Sequence, residues 1–398
     1  MDTGGRIRSY YLLRELARCH EVKLLSYYTG RKDNRYETEI QAEFPGAETV
    51  HIPRLDGGML FQGLDYLGRF WRYAPFSVSK FTSSGIRRLL RLYLSSRKFD
   101  VSVCDFLAPS MNFPDRLLTP TILFQHNVES ELWRRMASTE NLFLRRLIYR
   151  IEAAKMARYE PQALAKFQHI VAVSDHDRQR MQALHPGCEI TVVPTGVDTK
   201  KYSIAVHADL HPPRIVFTGS MDWEPNVDAV IYFRENIFPR IQQKLPAARF
   251  QIVGRNPPAP VKRLSSEFVE VTGTVPSVAE YLRKATVVVV PLRIGGGTRL
   301  KIFEAMAMGK AVVSTSIGAE GLGVKSGRDL ILADEPSAFA DAIVQLAQDD
   351  ELRRQYEHAA AKLAAQYDWK EISVLFAEVL QRVCRSGQPQ CAGVALSA

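Results

Sequence analysis

A chain of 398 residues, 46% apolar and 24% charged, has the make-up of a folded globular protein with room for two or three domains, which excludes a disordered or fibrous one. Its net charge of +9 is lopsided: residues 1–200 hold 29 Lys and Arg against 22 Asp and Glu, and residues 201–398 hold 23 against 21. No apolar run approaches the ~20 residues of a spanning helix, no basic-then-apolar leader opens the sequence, and five scattered cysteines lack metal spacing, so a reduced, cytoplasmic protein is expected.

Along the chain, short β-branched runs alternate with helical patterns. Strands are predicted at 21–28, 49–53, 101–105, 121–124, 170–173 and 191–193, with helices at 6–18, 84–94, 129–136, 142–159 and 177–184. Beyond the polar stretch 198–213, the best linker candidate, strands follow at 214–217, 249–253, 269–272, 287–291, 311–314 and 329–332. Their helices are predicted at 226–245, 278–284, 298–308, 336–348, 351–366 and 369–383. Apolar strands alternating with helices mean parallel sheets covered on both faces, hence two doubly wound α/β domains. In such sheets ligands bind beyond the carboxyl ends of the strands, where glycine turns meet helix starts.

The segment 287–314, VVVVPLRIGGGTRLKIFEAMAMGKAVVS, carries the clearest chemistry. A buried strand ends at Pro291, and Gly295, Gly296 and Gly297 lead to a helix with Thr298 as its expected cap. Glycines allow close backbone approach, and a helix start attracts anions. Arg299 and Lys301 oppose the helix dipole unless an anion sits there, so a phosphate site accounts for all three features; an ordinary turn with two solvated cations is the plainer alternative. Glu304 falls inside the apolar arc of that helix, where a carboxylate needs a partner. A sugar diol would supply two hydroxyl donors; backbone amides or Lys310 would serve a purely structural carboxylate.

The order strand, proline, glycine loop and EAMAMGKAVV resembles the nucleotide-sugar site of family-4 glycosyltransferases, two-domain enzymes of the GT-B fold. IVAVSDHDR (170–178), VVPTGVDTKKY (192–202), FTGSMDWEPNVDA (217–229) and IGAEGL (317–322) resemble further blocks of that family in the same order. Together they resemble a subgroup associated with bacterial exopolysaccharide and PEP-CTERM/exosortase systems. The resemblance implies that Glu304 holds the donor ribose, that Gly297 and Thr298 face the phosphates or sugar, that Gly219 and Ser220 border the pyrophosphate, and that Val275 lies beside the base. It also implies transfer with retention and without a metal, from a UDP- or GDP-sugar.

The sequence departs from the family in three ways. The usual second glutamate, eight positions before Glu304, is Gly296. The usual Arg and Lys of the loop GSMDWEPN are missing, and Arg299 and Lys301 are expected to take over the leaving-phosphate role. DTGGRIRSYYLLRELA (2–17) resembles the first glycine loop and helix, but the strand that should precede it is missing, so a start upstream of Met1 is expected. Gly4 and Gly5 are candidates to line the cleft, although Gly-Gly alone is also just a turn.

His126, beyond the strand at 121–124, resembles the histidine that family members point at the donor sugar or acceptor; at the end of the strand at 170–173, Asp175 reads better as a helix cap. Arg134, Arg135, Arg145, Arg146, Arg150, Lys155 and Arg158 alternate with Trp133, Leu142, Phe143, Leu144, Leu147 and Ile148, a pattern suited to an anionic bilayer or to a solvated helix face. No recognition motif for nucleic acid accompanies the charge. The expected organisation is an acceptor-side domain over 1–198, a donor domain over 199–368, and a helix and tail over 369–398. The expected partners are a nucleotide-sugar donor and a lipid-linked or saccharide acceptor, at the inner face of the plasma membrane. A nucleotide-sugar epimerase and a non-enzymatic sugar-nucleotide-binding protein are the rival readings.

Overall fold

The computed structural model describes residues 4–53, 59–96, 98–140, 142–204, 211–294 and 300–387. The C-terminal half is built on a parallel sheet of order β12-β11-β10-β7-β8-β9: β7 (Arg214–Thr218), β8 (Arg249–Val253), β9 (Val269–Gly273), β10 (Val287–Val290), β11 (Val312–Ser314) and β12 (Ile331–Leu332). β10, four valines in a row, is fully buried, as a strand covered on both faces must be. Phe233, Phe238, Phe250 and Phe339 pack together beside this sheet, with ring centroids 4.5–6.0 Å apart for the 233–250, 238–250 and 233–339 pairs. Burying four phenylalanines supplies roughly 1.5–3 kcal/mol each.

The N-terminal half has two parallel sheets. β1 (Leu25–Gly30) pairs with β2 (Glu48–Pro53); β3 (Ser102–Asp105), β4 (Thr121–Gln125), β5 (His169–Ala172) and β6 (Glu189–Val192) form the other in that order. Among the described residues neither β1 nor the outer side of β3 has a further strand partner, and the strand that the family resemblance puts ahead of the glycine turn is not among them. The α/β class and parallel sheets read from the sequence are therefore present, with every predicted strand in place to within a few residues.

One correction concerns the start. Gly4 and Gly5 form the first turn of the helix Gly4–Leu16 rather than a loop before it. A β-carbon on Gly5 would come within 2.6 Å of the Phe106 ring, so the absence of a side chain lets that ring lie on the helix.

The chain crosses between its halves twice at one place. Val197 N donates to Tyr367 O (2.7 Å) and Trp369 N to Val197 O (3.2 Å), and Trp369 lies so close that a β-carbon on Gly196 would meet its ring at 2.6 Å. The C-terminal helix Trp369–Gly387 then packs Ile372, Phe376 and Val379 with Leu12 and Leu16 against β4 and β5. Among the described residues, no helix is long and apolar enough to cross a membrane.

Candidate functional site

The site begins where β7 and β8 end side by side. A β-carbon on Gly254 would stand 1.8 Å from the Gly219 carbonyl oxygen, so the two strand ends touch backbone to backbone. Gly219 N donates to Val253 O and Met221 N to Arg255 O, both at 3.0 Å. Lys301, in the helix Leu300–Ala307, reaches this spot: its Nζ donates to Asn226 Oδ1 (2.9 Å), lies 4.1 Å from the centroid of the Phe217 ring, and would be 2.7 Å from a β-carbon on Gly219. Ser220 lies on the rim, its hydroxyl accepting from Arg255 Nε (2.9 Å).

One turn further along the same helix sits Glu304. Ile302, Phe303, Ala305 and Met306 anchor the helix in the core, which leaves the Glu304 carboxylate half-buried at the junction of the two halves. The Tyr202 side chain lies beside it, lining the same cavity. Burial pushes the Glu304 carboxyl above its usual range, while the neighbouring Tyr202 hydroxyl, Lys201 and Lys301 pull it back. Glu304 lines a cavity of about 100 Å³ together with Tyr11, Asp198, Lys201, Tyr202 and Leu300. Tyr11 is stacked on Trp369 (5.4 Å, 3° between planes) and donates to Asp198 Oδ2 at 2.9 Å. Anionic and hydroxyl groups thus gather where the first helix, the crossing turn and the Lys301 helix meet.

His126 is 4% exposed and held on both sides. Arg8 lies 2.6 Å from its Nδ1 and Asp105 Oδ1 lies 2.6 Å from its Nε2. Because a guanidinium only donates, Nδ1 accepts and Nε2 carries the proton that goes to Asp105. Phe106 stacks on the imidazole at 3.9 Å, Ser9 donates to the other Asp105 oxygen, and Arg8 also reaches Thr195. Burial, more than the opposed effects of Asp105 and Arg8, holds the His126 pKa below the ordinary histidine value. Rather than pointing outward at a ligand, the ring is built into a buried network that ties the first helix to β3, β4 and the crossing turn.

The other predicted residues fall as follows. Gly296, Gly297, Thr298 and Arg299 lie outside the described residues. Val275 is half-buried against the C-terminal core, two residues past Gly273. Asp175 is not a cap: Ser174 accepts from Asp177 N at 3.0 Å, and Asp175 instead pairs with Arg178. Lys310 donates to Arg283 O (2.8 Å), so it does not serve Glu304.

The basic helices are also partly committed. Arg135 makes two hydrogen bonds to Glu320 across the halves (2.5 and 2.9 Å), and His176 Nε2 stands 3.3 Å from the same carboxylate. Arg134 pairs with Glu131, Arg145 with Glu140, and Lys155 with the Phe70 carbonyl. Sequence reasoning missed Arg255, Tyr202, Tyr11 and the Arg135–Glu320 clasp, because each acts on a residue far away in the chain. Among the described residues no three His, Cys, Asp or Glu side chains gather as a metal site.

Comparison with known proteins agrees with this architecture. Among solved structures, the chain is similar to sucrose-phosphate synthase from Thermosynechococcus elongatus (TM-score 0.63, 14% identity, 92% of this chain and 99% of that one). It is likewise similar to Anabaena HepE in complex with UDP and glucose (TM-score 0.61, 14% identity, 96% and 98%). At that identity the likeness is one of fold, the GT-B fold. In sequence it is 28% identical over 233 residues to phosphatidyl-myo-inositol mannosyltransferase of Mycobacterium tuberculosis, covering 54% of this chain and 60% of that enzyme's length. It is 22% identical over 271 residues to an uncharacterized 44.6 kDa protein in the cps region of Klebsiella pneumoniae, covering 65% and 68%. Residues 212–349 match the family described as glycosyl transferases group 1, and residues 3–201 match Glycosyltransferase Family 4. The chain therefore belongs to Glycosyltransferase Family 4.

Proposed function

We propose that this glycosyltransferase moves a sugar from a UDP- or GDP-sugar to a saccharide acceptor carried on a lipid, with retention and without a metal, in the synthesis of exopolysaccharide or a related cell-surface glycan. The observation that carries the reading is that one helix brings Lys301 to the glycine-bounded end of β7 and Glu304 to the hydroxyl-lined junction cavity. A cation and a carboxylate on successive turns match a nucleoside diphosphate, whose phosphates need positive charge and whose ribose offers two hydroxyl donors. The Klebsiella relative from a cps region supports the polysaccharide assignment, and the mycobacterial mannosyltransferase supports a lipid acceptor.

In the transfer, the bond from the sugar's anomeric carbon to the diphosphate breaks and the acceptor oxygen bonds that carbon from the same face. The acceptor hydroxyl proton passes to the departing phosphate oxygen, so the protein needs no separate base. Lys301 stabilises the charge building on the diphosphate, and closure of the two halves excludes water. His126, neutral and held by Arg8 and Asp105, is a positioning residue for the acceptor-side wall. Glu304 and Gly219 position the nucleotide.

The acceptor-side half also has a surface suited to an anionic bilayer. Phe143 and Leu144, 75% and 72% exposed, open the helix Phe143–Leu164 beside Arg146 and Arg150, and Trp71, 90% exposed, lies near the same helix through Tyr73 Oη and Arg158 O (2.9 Å). Exposed bulky apolar groups among arginines favour a surface-lying helix. The test is a panel of UDP- and GDP-sugars with membrane lipid acceptors. Acceptor-dependent nucleotide release that is lost in Glu304→Gln supports the reading. Donor conversion without acceptor assigns an epimerase instead, and binding without turnover assigns a non-enzymatic protein.

A further inference from the structure

The loop GSMDWEPN after β7 contains no Lys or Arg, yet two of its polar side chains each hold a cation from elsewhere in the chain. Lys301 donates to Asn226 Oδ1 at 2.9 Å, and Arg255, just past β8, donates through Nε to Ser220 Oγ at 2.9 Å. The two anchor points are joined, since Asn226 Nδ2 donates to the Ser220 carbonyl at 2.7 Å. The Arg255 backbone is fixed as well: its carbonyl accepts from Met221 N, and the preceding Gly254 presses on Gly219. The same edge of the guanidinium also faces Asp222, with Nη2 3.0 Å from Oδ2, and that oxygen accepts from Ser220 Oγ at 3.1 Å. The pair is 27% and 43% exposed, so it lies on the open rim and not in the core. An ion pair so placed adds little to stability.

We propose that Arg255 is the second cation of the donor diphosphate site, and that Asp222 is a stand-in carboxylate that keeps the guanidinium aimed until phosphate replaces it. This rests on the reading of the Gly219–Lys301 region as the donor site. A guanidinium fork binds a phosphate through two parallel N–H bonds, and Ser220 and Asp222 together already occupy the Nε and Nη2 donors of one such edge. A sugar nucleotide brings two phosphate charges, so it outcompetes a single carboxylate when Lys301 sits across the loop. The loop has thus kept its two cation positions while the cations themselves come from the end of β8 and from the Lys301 helix.

The test is calorimetric binding of UDP and GDP, with uridine and guanosine as phosphate-free controls, to the full chain and to Arg255→Ala, Arg255→Lys and Asp222→Asn. Arg255→Ala is expected to lose at least about tenfold in affinity for whichever diphosphate the protein binds, with Arg255→Lys in between. Asp222→Asn is expected to bind the diphosphate more tightly, because the competing carboxylate is gone, while nucleoside binding stays unchanged in all three. Arg255→Ala binding as tightly as the parent would overturn the proposal. So would Asp222→Asn weakening the diphosphate, which would make the pair a structural latch. If Arg255→Ala fails to fold, Asp222→Asn and Arg255→Lys still decide. A parent protein that binds neither UDP nor GDP refutes the donor-site reading itself, a different result from parent binding that ignores Arg255.

Discussion

Replacing Gly254 with alanine tests the contact on which the site is built. The added carbon would sit 1.8 Å from the Gly219 oxygen and 2.8 Å from its carbonyl carbon, both backbone atoms that no side-chain rotation can clear. Carbon and oxygen meet comfortably at roughly 3.3 Å, so the strand ends must part by about 1.5 Å. Parting breaks the hydrogen bonds that flank the contact, Gly219 N to Val253 O and Met221 N to Arg255 O. At ~1 kcal/mol each, plus ~1 kcal/mol or more of packing strain, the loss is about 3 kcal/mol. For a domain of this size that lowers the melting midpoint by about 6–12 °C. A misplacement of about 1 Å in the phosphate loop also costs about a hundredfold in transfer rate. Two other glycines calibrate the result. Gly273, at φ +68 in open space, costs ~1 kcal/mol as alanine, and Gly187, with ordinary φ and nothing within 4 Å, costs almost nothing. Scanning fluorimetry and nucleotide calorimetry read both effects. A Gly254→Ala protein that melts within about 2 °C of the parent and binds nucleotide equally well would refute the argument.

Because burial holds the Glu304 carboxyl above its ordinary value, the stability it contributes is complete below about pH 4.5 and declines as pH rises through its folded value. Glu304→Gln should therefore melt higher than the parent at pH 8, with the gap closing towards pH 4, while losing nucleotide affinity; a lower melting point at pH 8 contradicts this. His126 has the opposite sign: its pKa is held low, so its contribution is complete above about pH 6.5 and is lost as pH falls. NMR titration should show His126 protonating below the ordinary histidine value, and lower still in Asp105→Asn, which removes an anion that favours the charged ring; a midpoint above the ordinary value would be inconsistent with the network. Phe143→Glu with Leu144→Glu should reduce co-sedimentation with phosphatidylglycerol vesicles by more than about tenfold, since two bulky apolar groups no longer enter the bilayer; unchanged pelleting would remove the membrane face from the account.

Much of the architecture was legible because burial writes itself into composition. β10 is four valines and β4 is TILFQ, both buried throughout, and runs this short and apolar suit a strand covered on both faces. The helix Asn34–Glu43 went unread for the opposite reason: it buries no residue, so no apolar stripe marks it, and only the Asp33 cap on Arg35 N and Tyr36 N signals its start. At the site, Glu304 stood out as a carboxylate in an apolar arc, and Lys301 as a cation at a helix start. Their partners did not: Asn226 lies 75 residues from Lys301, and Tyr202 is still further from Glu304 along the chain. Arg255 was hidden in the polar turn GRNPP, where an arginine is unexceptional until Ser220 is found beside it. His126 was correctly placed at a strand end, but its direction depends on Arg8 and Asp105, which lie on two other elements.

The most direct test of the central claim is a crystal structure of the full chain soaked with UDP-glucose or GDP-mannose. The diphosphate is expected over Gly219 and Ser220 within hydrogen-bond reach of Lys301, with the ribose hydroxyls on the Glu304 carboxylate. Nucleotide bound elsewhere, or bound there with no ribose hydroxyl on Glu304, would contradict the claim.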